Sequence, residues 1–195
     1  WKASIAAASG TPGDKARATP VITGNKLIVG TQGNVFAPPP NGGPGGKMLA
    51  FDKTTGRLLW STQLDDHYGA IVTQSATVQG DRVFVGVASM EEALAGVVGF
   101  CCSFRGSMLA LDVNTGAIVW KTYMVPSGYS GGAIWGSAPA VDVKRGQVYV
   151  ATGNNYAVPE PVRQCIVAAG DNTTAVKACL AADNYFDAIL ALDMK

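Results

Sequence analysis

The sequence predicts an all-β fold, a fragment of a β-propeller with about three four-stranded antiparallel blades. The main observation is a repeated segment, present at residues 47–60 and 107–120 and in shortened form at 188–195. Each complete copy contains an alternating apolar strand, an Asp-x-x-Thr-Gly turn and a second strand that ends in tryptophan. The copies start about 60 and about 80 residues apart, which suits propeller blades with insertions better than short helical repeats.

Further strands precede each hairpin and complete the blades. Residues 26–30, 82–86 and 147–151 alternate in polarity, and each run follows a glycine-containing turn. The sequence therefore predicts a single partial propeller domain. Its expected parts are the end of a preceding blade (1–5), two blades (17–64 and 70–124) and an incomplete blade (133–195). We expect the remaining blades, or another chain, to cover the open sheet faces.

Composition is typical of an ordered, turn-rich protein, with 48% hydrophobic and 15% charged residues, 24 glycines and 10 prolines. The formal net charge is only +1, so we expect no nucleic-acid partner. No apolar run approaches the roughly 20 residues that a membrane helix needs, so we expect no membrane partner.

The 4 cysteines form two candidate pairs. Cys165 and Cys179 bracket a polar insertion that also carries the glycosylation sequon at Asn172, and we expect a disulfide that closes a long loop. Cys101 and Cys102 are adjacent, and two interpretations stay open: a vicinal disulfide that supports a flat ligand, or two reduced core cysteines. Disulfides and a sequon together predict a secreted or extracytoplasmic glycoprotein, periplasmic in a bacterium or secretory in a plant.

Two single side chains are notable. Trp135 lies outside the repeat, among small residues, and is either a stacking site for a ring or a core tryptophan. His67 is the only histidine and follows two aspartates in a blade connection, so we expect a solvated loop residue rather than part of a catalytic triad or a zinc site.

The repeat itself, Ala-x-Asp-x-x-Thr-Gly-x-x-x-Trp, resembles the tryptophan-docking motif of the eight-bladed propellers that bind pyrroloquinoline quinone (PQQ). It is present at residues 50–60 and 110–120. Two further motifs, Cys-Cys-Ser-Phe-Arg-Gly from residue 101 and Ile-Trp-Gly-Ser-Ala-Pro from residue 134, resemble polyvinyl-alcohol dehydrogenase and its plant homologues. The resemblance runs through almost the whole chain.

This resemblance implies PQQ and calcium as cofactors of the full-length protein. Cys101 and Cys102 would pack on one face of the quinone, Trp135 would stack on the other, and Asn154 would give an oxygen to calcium. The glutamate that also binds calcium in methanol dehydrogenases has no counterpart in the motif, and Glu91 or Glu92 is left as a possible substitute. The family's catalytic carboxylate would follow the last residue, so no catalytic residue is assigned.

Two function classes follow from the resemblance. The first is a PQQ-dependent alcohol dehydrogenase of polyvinyl-alcohol type, in which hydride passes from a secondary, small-molecule alcohol to the quinone. The fragment alone is not expected to turn over, so whether the chain is an enzyme stays open. The alternative is a non-catalytic propeller of the same lineage that binds sugars or proteins. We expect the four implied residues to converge near the propeller axis, with the indole and the disulfide about 7 Å apart around a cofactor.

Overall fold

The computed structural model describes residues 1–37, 41–98 and 101–195 of the chain. It confirms the predicted antiparallel all-β architecture, because three larger sheets follow one another along these ranges. The first sheet has the strand order β1-β2-β5-β6. Its elements in chain order are α1 (Ile5–Ser9), β1 (Val21–Thr23), β2 (Lys26–Gly30), β3 (Gly33–Asn34), β4 (Gly43–Pro44), β5 (Lys47–Asp52) and β6 (Leu58–Gln63).

The second sheet has the order β11-β10-β9-β7, and β8 also pairs with β9. A helix separates β9 from β10, where the sequence predicted only strands and connections. The elements of this part of the chain are β7 (Ala70–Ile71), β8 (Thr77–Gln79), β9 (Arg82–Ser89), α2 (Glu91–Val98), β10 (Ser107–Asp112) and β11 (Ile118–Tyr123).

The third sheet is three-stranded, β13-β14-β16, and a small ladder of β12 and β15 lies beside it. Its elements are β12 (Ser130–Gly131), β13 (Ala140–Asp142), β14 (Gln147–Ala151), β15 (Asn155–Ala157), α3 (Glu160–Ala169), α4 (Thr173–Cys179) and β16 (Ile189–Asp193). The insertion before β16 was expected to be a polar loop, and this was wrong. It forms a helical hairpin, in which the expected Cys165–Cys179 disulfide joins α3 to α4.

The Asp-x-x-Thr-Gly turns have the same hydrogen bonds in both complete repeats. Asp52 accepts the amides of Thr54 and Thr55 and the Thr55 hydroxyl at 3.0, 2.9 and 3.0 Å. Asp112 does the same with Asn114 and Thr115 at 2.9, 2.8 and 2.9 Å. Bonds from the threonine amide and hydroxyl hold the pKa of both carboxyls below the usual range. The turn chemistry therefore fixes each hairpin locally.

Tryptophans dock one sheet on the next. The Trp60 indole donates to the Val113 carbonyl at 3.2 Å and lies against Gly116, whose φ of +75° a side chain would strain. Trp1 makes the same two contacts with Lys53, at 3.0 Å, and with Gly56. Trp60 is buried at this junction, with 8% of its surface exposed. Trp120 is only half-buried, and its indole N–H is enclosed without a partner among the described residues.

Candidate functional site

Trp135 lies where the second and third sheets meet. The segment that carries it is fixed from β9, because the Ile134 amide donates to the Val87 carbonyl at 3.2 Å. The Thr73 hydroxyl donates to the Trp135 carbonyl. Its indole packs over Gly153, where an added Cβ would lie 3.2 Å from the ring nitrogen. The side chain is 36% exposed, so Trp135 is not a core tryptophan but one wall of an open site.

A cavity of about 250 Å³ opens beside this indole. It combines apolar walls with two cationic side chains, Lys15 and Arg17, from the segment before β1. Its lining residues are Lys15, Arg17, Gln32, Gly33, Val35, Phe36, Ile71, Thr73, Met90 and Trp135. An aromatic wall, aliphatic walls and positive charge suit a flat anionic ligand.

Asn154 follows Gly153, the residue on which the indole packs. Its Nδ2 donates to the Glu92 carboxylate and to the Asn155 carbonyl, both at 3.1 Å. The Tyr156 hydroxyl is buried nearby and has no hydrogen-bond partner among the described residues. Burial first, and then the charges of Glu92 and Glu91, raise the pKa of Tyr156, so its hydroxyl stays protonated near this acidic pair.

Cys101 and Cys102 form a disulfide, which is the first of the two interpretations of this pair. Cys101 is exposed and Cys102 is half-buried. The chain then enters the core at Phe104, whose carbonyl accepts the Gly131 amide at 2.8 Å. Gly131 lies in β12, paired with Asn155 of β15. The segment after the disulfide is thus hydrogen-bonded to β12, whose partner strand β15 begins one residue after Asn154.

Glu91 lies beneath this segment with no exposed surface. Its carboxylate accepts the amides of Ser103 and Phe104 at 2.7 and 2.8 Å and the Ser103 hydroxyl at 3.1 Å. The Tyr68 hydroxyl donates to it at 2.9 Å. Burial raises the pKa of Glu91, but the bonds from Phe104, Ser103 and Tyr68 outweigh burial, so its pKa lies below the ordinary value. Burial first, and then the bond to Glu91, raise the pKa of Tyr68 to about 12.

The expectation of a solvated His67 was wrong. Its side chain is only 16% exposed, and its Nε2 lies 3.0 Å from the Ser103 hydroxyl and 3.4 Å from the Glu91 carboxylate. Nδ1 accepts the Gly69 amide at 3.1 Å, so the proton of the neutral ring is on Nε2. That tautomer donates towards Ser103 and cannot take its proton. The histidine, serine and glutamate therefore do not form a nucleophilic triad.

His67 makes stability depend on pH. Burial lowers its pKa below 6.5, and the opposing charges of Glu91 and Asp65 only partly offset this. Because the unfolded chain binds a proton more readily, the free energy of unfolding falls as pH drops below about 6.5. Because a single proton is involved, we expect the free energy of unfolding to fall by at most about 1.4 kcal/mol per pH unit. Urea unfolding between pH 7.5 and 5.5 measures it. In His67→Gln this slope should disappear, and an unchanged slope would contradict the assignment.

A model of the PQQ_2 family, described as outer membrane protein assembly factor BamB, matches residues 1–174. The chain belongs to this family. A polyvinylalcohol dehydrogenase of a Pseudomonas species is 41% identical to this PQQ_2 chain over 124 residues, covering 55% of the chain and 19% of that protein. Another polyvinylalcohol dehydrogenase, from Sphingopyxis sp. (strain 113P3), is 37% identical over 159 residues, covering 71% of the chain and 24% of that protein.

The fold of this PQQ_2 chain is also similar to a solved quinohemoprotein alcohol dehydrogenase, ADHIIG from Pseudomonas putida HK5. The TM-score is 0.60 at 18% identity, covering 90% of the chain and 24% of that structure. The predicted propeller fragment is thereby confirmed. The chain spans 19% and 24% of the two relatives' lengths, so it corresponds to a minor part of such proteins. Within the described ranges, no helix is long and apolar enough to cross a membrane.

Of the four predicted site residues, only Trp135 lines the cavity. Asn154 follows Gly153, on which the indole packs, and it is hydrogen-bonded to Glu92. Cys101 and Cys102 precede Ser103 and Phe104, whose amides are bonded to Glu91. Sequence reasoning missed Lys15 and Arg17 in the cavity, because no motif surrounds them. Their only signal was two cations shortly before the first strand of a blade. From the sequence, Glu91 and Glu92 were equivalent candidates for the metal-binding glutamate. In the described structure, the hydrogen bond to Asn154 comes to Glu92.

Proposed function

We propose that this chain forms one wall of a PQQ site in an alcohol dehydrogenase related to the polyvinyl-alcohol enzymes. The observation that carries the proposal is the cavity in which the Trp135 indole lies beside Lys15 and Arg17. PQQ is a flat, aromatic tricarboxylate. It needs an aromatic surface for its rings and cationic donors for its carboxylates, and these residues supply both.

The cysteine pair would provide the opposite surface. We propose that the Cys101–Cys102 disulfide packs on the second face of the rings, about 7 Å from the indole when the cofactor lies between them. Its support is the location of Met90, which lines the cavity and immediately precedes Glu91, the residue bonded to the segment after the disulfide.

The side chains near Asn154 could supply part of the ligand shell of a metal ion beside the cofactor. Asn154 and Glu92 are neighbours, joined by a hydrogen bond from the Asn154 Nδ2, and they would offer one amide oxygen and a carboxylate. The Tyr156 hydroxyl, which has no hydrogen-bond partner among the described residues, is a further oxygen. Hard cations such as calcium take six to eight oxygen ligands, so these side chains would supply a minority of the shell. Among the described residues, no three acidic, histidine or cysteine side chains gather as a metal site. We propose Asn154 and Glu92 as this chain's metal ligands.

The bound quinone would supply the hydride acceptor for alcohol oxidation. The residues of this chain would bind and orient it: Trp135 would stack on its rings, and Lys15 and Arg17 would pair with its carboxylates. We propose a secondary alcohol as substrate because the two relatives are named polyvinylalcohol dehydrogenases. The chemistry at the alcohol is assigned to no residue of this chain.

We also propose that the protein works in an oxidising, extracytoplasmic compartment. The support is its two disulfides, Cys101–Cys102 and Cys165–Cys179, because cytosolic thiols are kept reduced. Asn172 of the sequon is exposed and caps α4 through its Oδ1, which accepts the Ala175 amide at 3.1 Å. Its Nδ2 has no part in that bond, so we propose this nitrogen as a glycan attachment point in a eukaryotic host.

Titration of the chain with PQQ tests the proposal. We expect saturable quenching of tryptophan fluorescence that strengthens when calcium or lanthanum is added. Arg17→Gln should weaken PQQ binding about 10-fold, because one charge-assisted hydrogen bond is lost. Trp135→Leu should abolish most of the quenching. Glu92→Gln should remove the metal effect while PQQ alone still binds.

Arg163→Gln is the matched control. It removes one positive charge from the exposed helix α3, outside the lining of the cavity, and should leave PQQ affinity unchanged. Equal losses in Arg17→Gln and Arg163→Gln would indicate only non-specific attraction of an anion. No saturable binding, together with no quinone absorbance or bound metal in protein purified from its source, would favour the non-catalytic propeller.

A further inference from the structure

Glu91 is a buried charge that the proposed cofactor site does not use. It lies at the first position of α2 with no exposed surface, and its own amide donates to the Ser89 hydroxyl at 2.9 Å. Removing an ionised carboxylate from water is costly unless hydrogen bonds replace the lost hydration. The donors around Glu91 therefore show which segment of the chain its carboxylate holds in place.

Those donors belong mainly to the two residues after the vicinal disulfide. One carboxylate oxygen accepts the Ser103 amide and hydroxyl, and the other accepts the Phe104 amide at 2.8 Å. Two successive amides bonded to the two oxygens of one carboxylate fix both peptide planes. Because Ser103 is covalently joined to Cys102, its orientation limits where the disulfide can lie.

The far side of the same segment is also fixed. The Phe104 carbonyl accepts the Gly131 amide, and the Gly106 amide donates to the Gly131 carbonyl, both at 2.8 Å. Gly131 precedes Trp135 by four positions and pairs with the strand that follows Asn154. Glu91 and Gly131 thus hold the segment after the disulfide from both sides, and Gly131 connects it to the ladder of β12 and β15.

We propose that Glu91 is a positioning residue that holds the Cys101–Cys102 pair in place as a cofactor-supporting surface. The proposal rests on the proposed function for its purpose, but not for its structural content. It also divides the roles of two neighbouring glutamates. Both oxygens of Glu91 are occupied by donors, which leaves Glu92 as the one that faces Asn154.

Glu91→Gln is the direct test, because it keeps the volume and one acceptor oxygen. The new amide group must face either the Ser103 or the Phe104 N–H, and two donors then oppose each other. We expect hydrogen exchange at these two amides to accelerate about 10-fold or more. We also expect dithiothreitol to reduce Cys101–Cys102 about 5-fold faster, measured by alkylation and mass spectrometry. The Cys165–Cys179 disulfide is the internal control, and its rate should not change.

Glu160→Gln, on the exposed face of α3, is the control variant and should alter neither quantity. If Glu91→Gln does not fold, Ser103→Ala removes a single donor and should give a smaller acceleration of the same sign. Unchanged reduction of Cys101–Cys102 in the folded variant would overturn the proposal. Equal acceleration of both disulfides would overturn it too, since it would indicate general destabilisation.

PQQ titration separates this proposal from the proposed function. If the chain binds PQQ, Glu91→Gln should weaken binding about 5-fold, and an unchanged Kd would overturn the positioning role. If wild-type chain does not bind PQQ, the proposed function fails. In that case faster reduction of Cys101–Cys102 alone in Glu91→Gln would still support Glu91 as the residue that holds this pair.

Discussion

Replacing Gly106 by alanine is expected to destabilise the fold by about 3 kcal/mol or more, at the upper end of the cost of overpacking. An added Cβ would overlap the carbonyl of Gly132 and lie 2.8 Å from the Cα of Ala133. These are backbone atoms, so no side chain can rotate away. Gly106 is also bonded on both sides, to Gly131 and Met124, each at 2.8 Å. Urea unfolding followed by circular dichroism measures the loss.

Gly96→Ala is the matched control for this substitution. Gly96 lies on an exposed face of α2, and nothing lies within 4 Å of the position of an added Cβ. In a helix interior, alanine is favoured over glycine by about 1 kcal/mol, so this variant should be unchanged or slightly more stable. A Gly106→Ala variant as stable as Gly96→Ala would contradict the close packing of Gly106 against the segment that follows β12.

Local chemistry made the hairpins predictable from sequence. The Asp52 and Asp112 turns use a carboxylate, a threonine and a glycine within five residues, so the sequence contains the complete set of interactions. The identical turn at both positions then implied a repeat, and the repeat implied stacked sheets. Trp60 followed from the same pattern, since its partner Val113 lies one residue after the next aspartate.

The insertion before β16 shows a local signal that was available but misread. Its polarity suggested a loop, yet Asn172 is a favoured helix cap and Pro161 stands in the first turn of α3. A proline at a helix start and a capping asparagine between two short apolar-polar runs predict a helical hairpin. The cysteine spacing alone could not distinguish a disulfide that closes a loop from one that joins two helices.

The polar cluster around Glu91 could not be predicted in this way. His67 and Ser103 are far apart in sequence. They meet at the C-terminal end of β9, because the two strands that flank β9, β7 and β10, both begin there. No local pattern distinguishes a buried glutamate from its exposed neighbour at the start of a helix. The same limit applies to Lys15 and Arg17, which reach Trp135 only through the stacking of sheets.

Trp60→Ala should reduce the free energy of unfolding by about 3–5 kcal/mol, the usual cost of removing a large buried aromatic side chain. The indole fills the junction between the first two sheets, and its N–H is bonded to the Val113 carbonyl at 3.2 Å. Trp60→Phe separates the contribution of ring packing from that of the hydrogen bond. It keeps most of the ring but leaves that carbonyl unpaired, so a loss of about 1–3 kcal/mol is expected.

Trp1→Ala provides the control for that change, because Trp1 holds the equivalent place in the repeat. It makes the same kind of bond, to Lys53 at 3.0 Å, yet its side chain is 62% exposed. Its removal should cost less than about 1 kcal/mol, since little apolar surface leaves water there. Chemical denaturation of the three variants gives the comparison. Equal losses for Trp1→Ala and Trp60→Ala would mean that the hydrogen bond to the turn, and not burial between sheets, provides the stability of tryptophan docking.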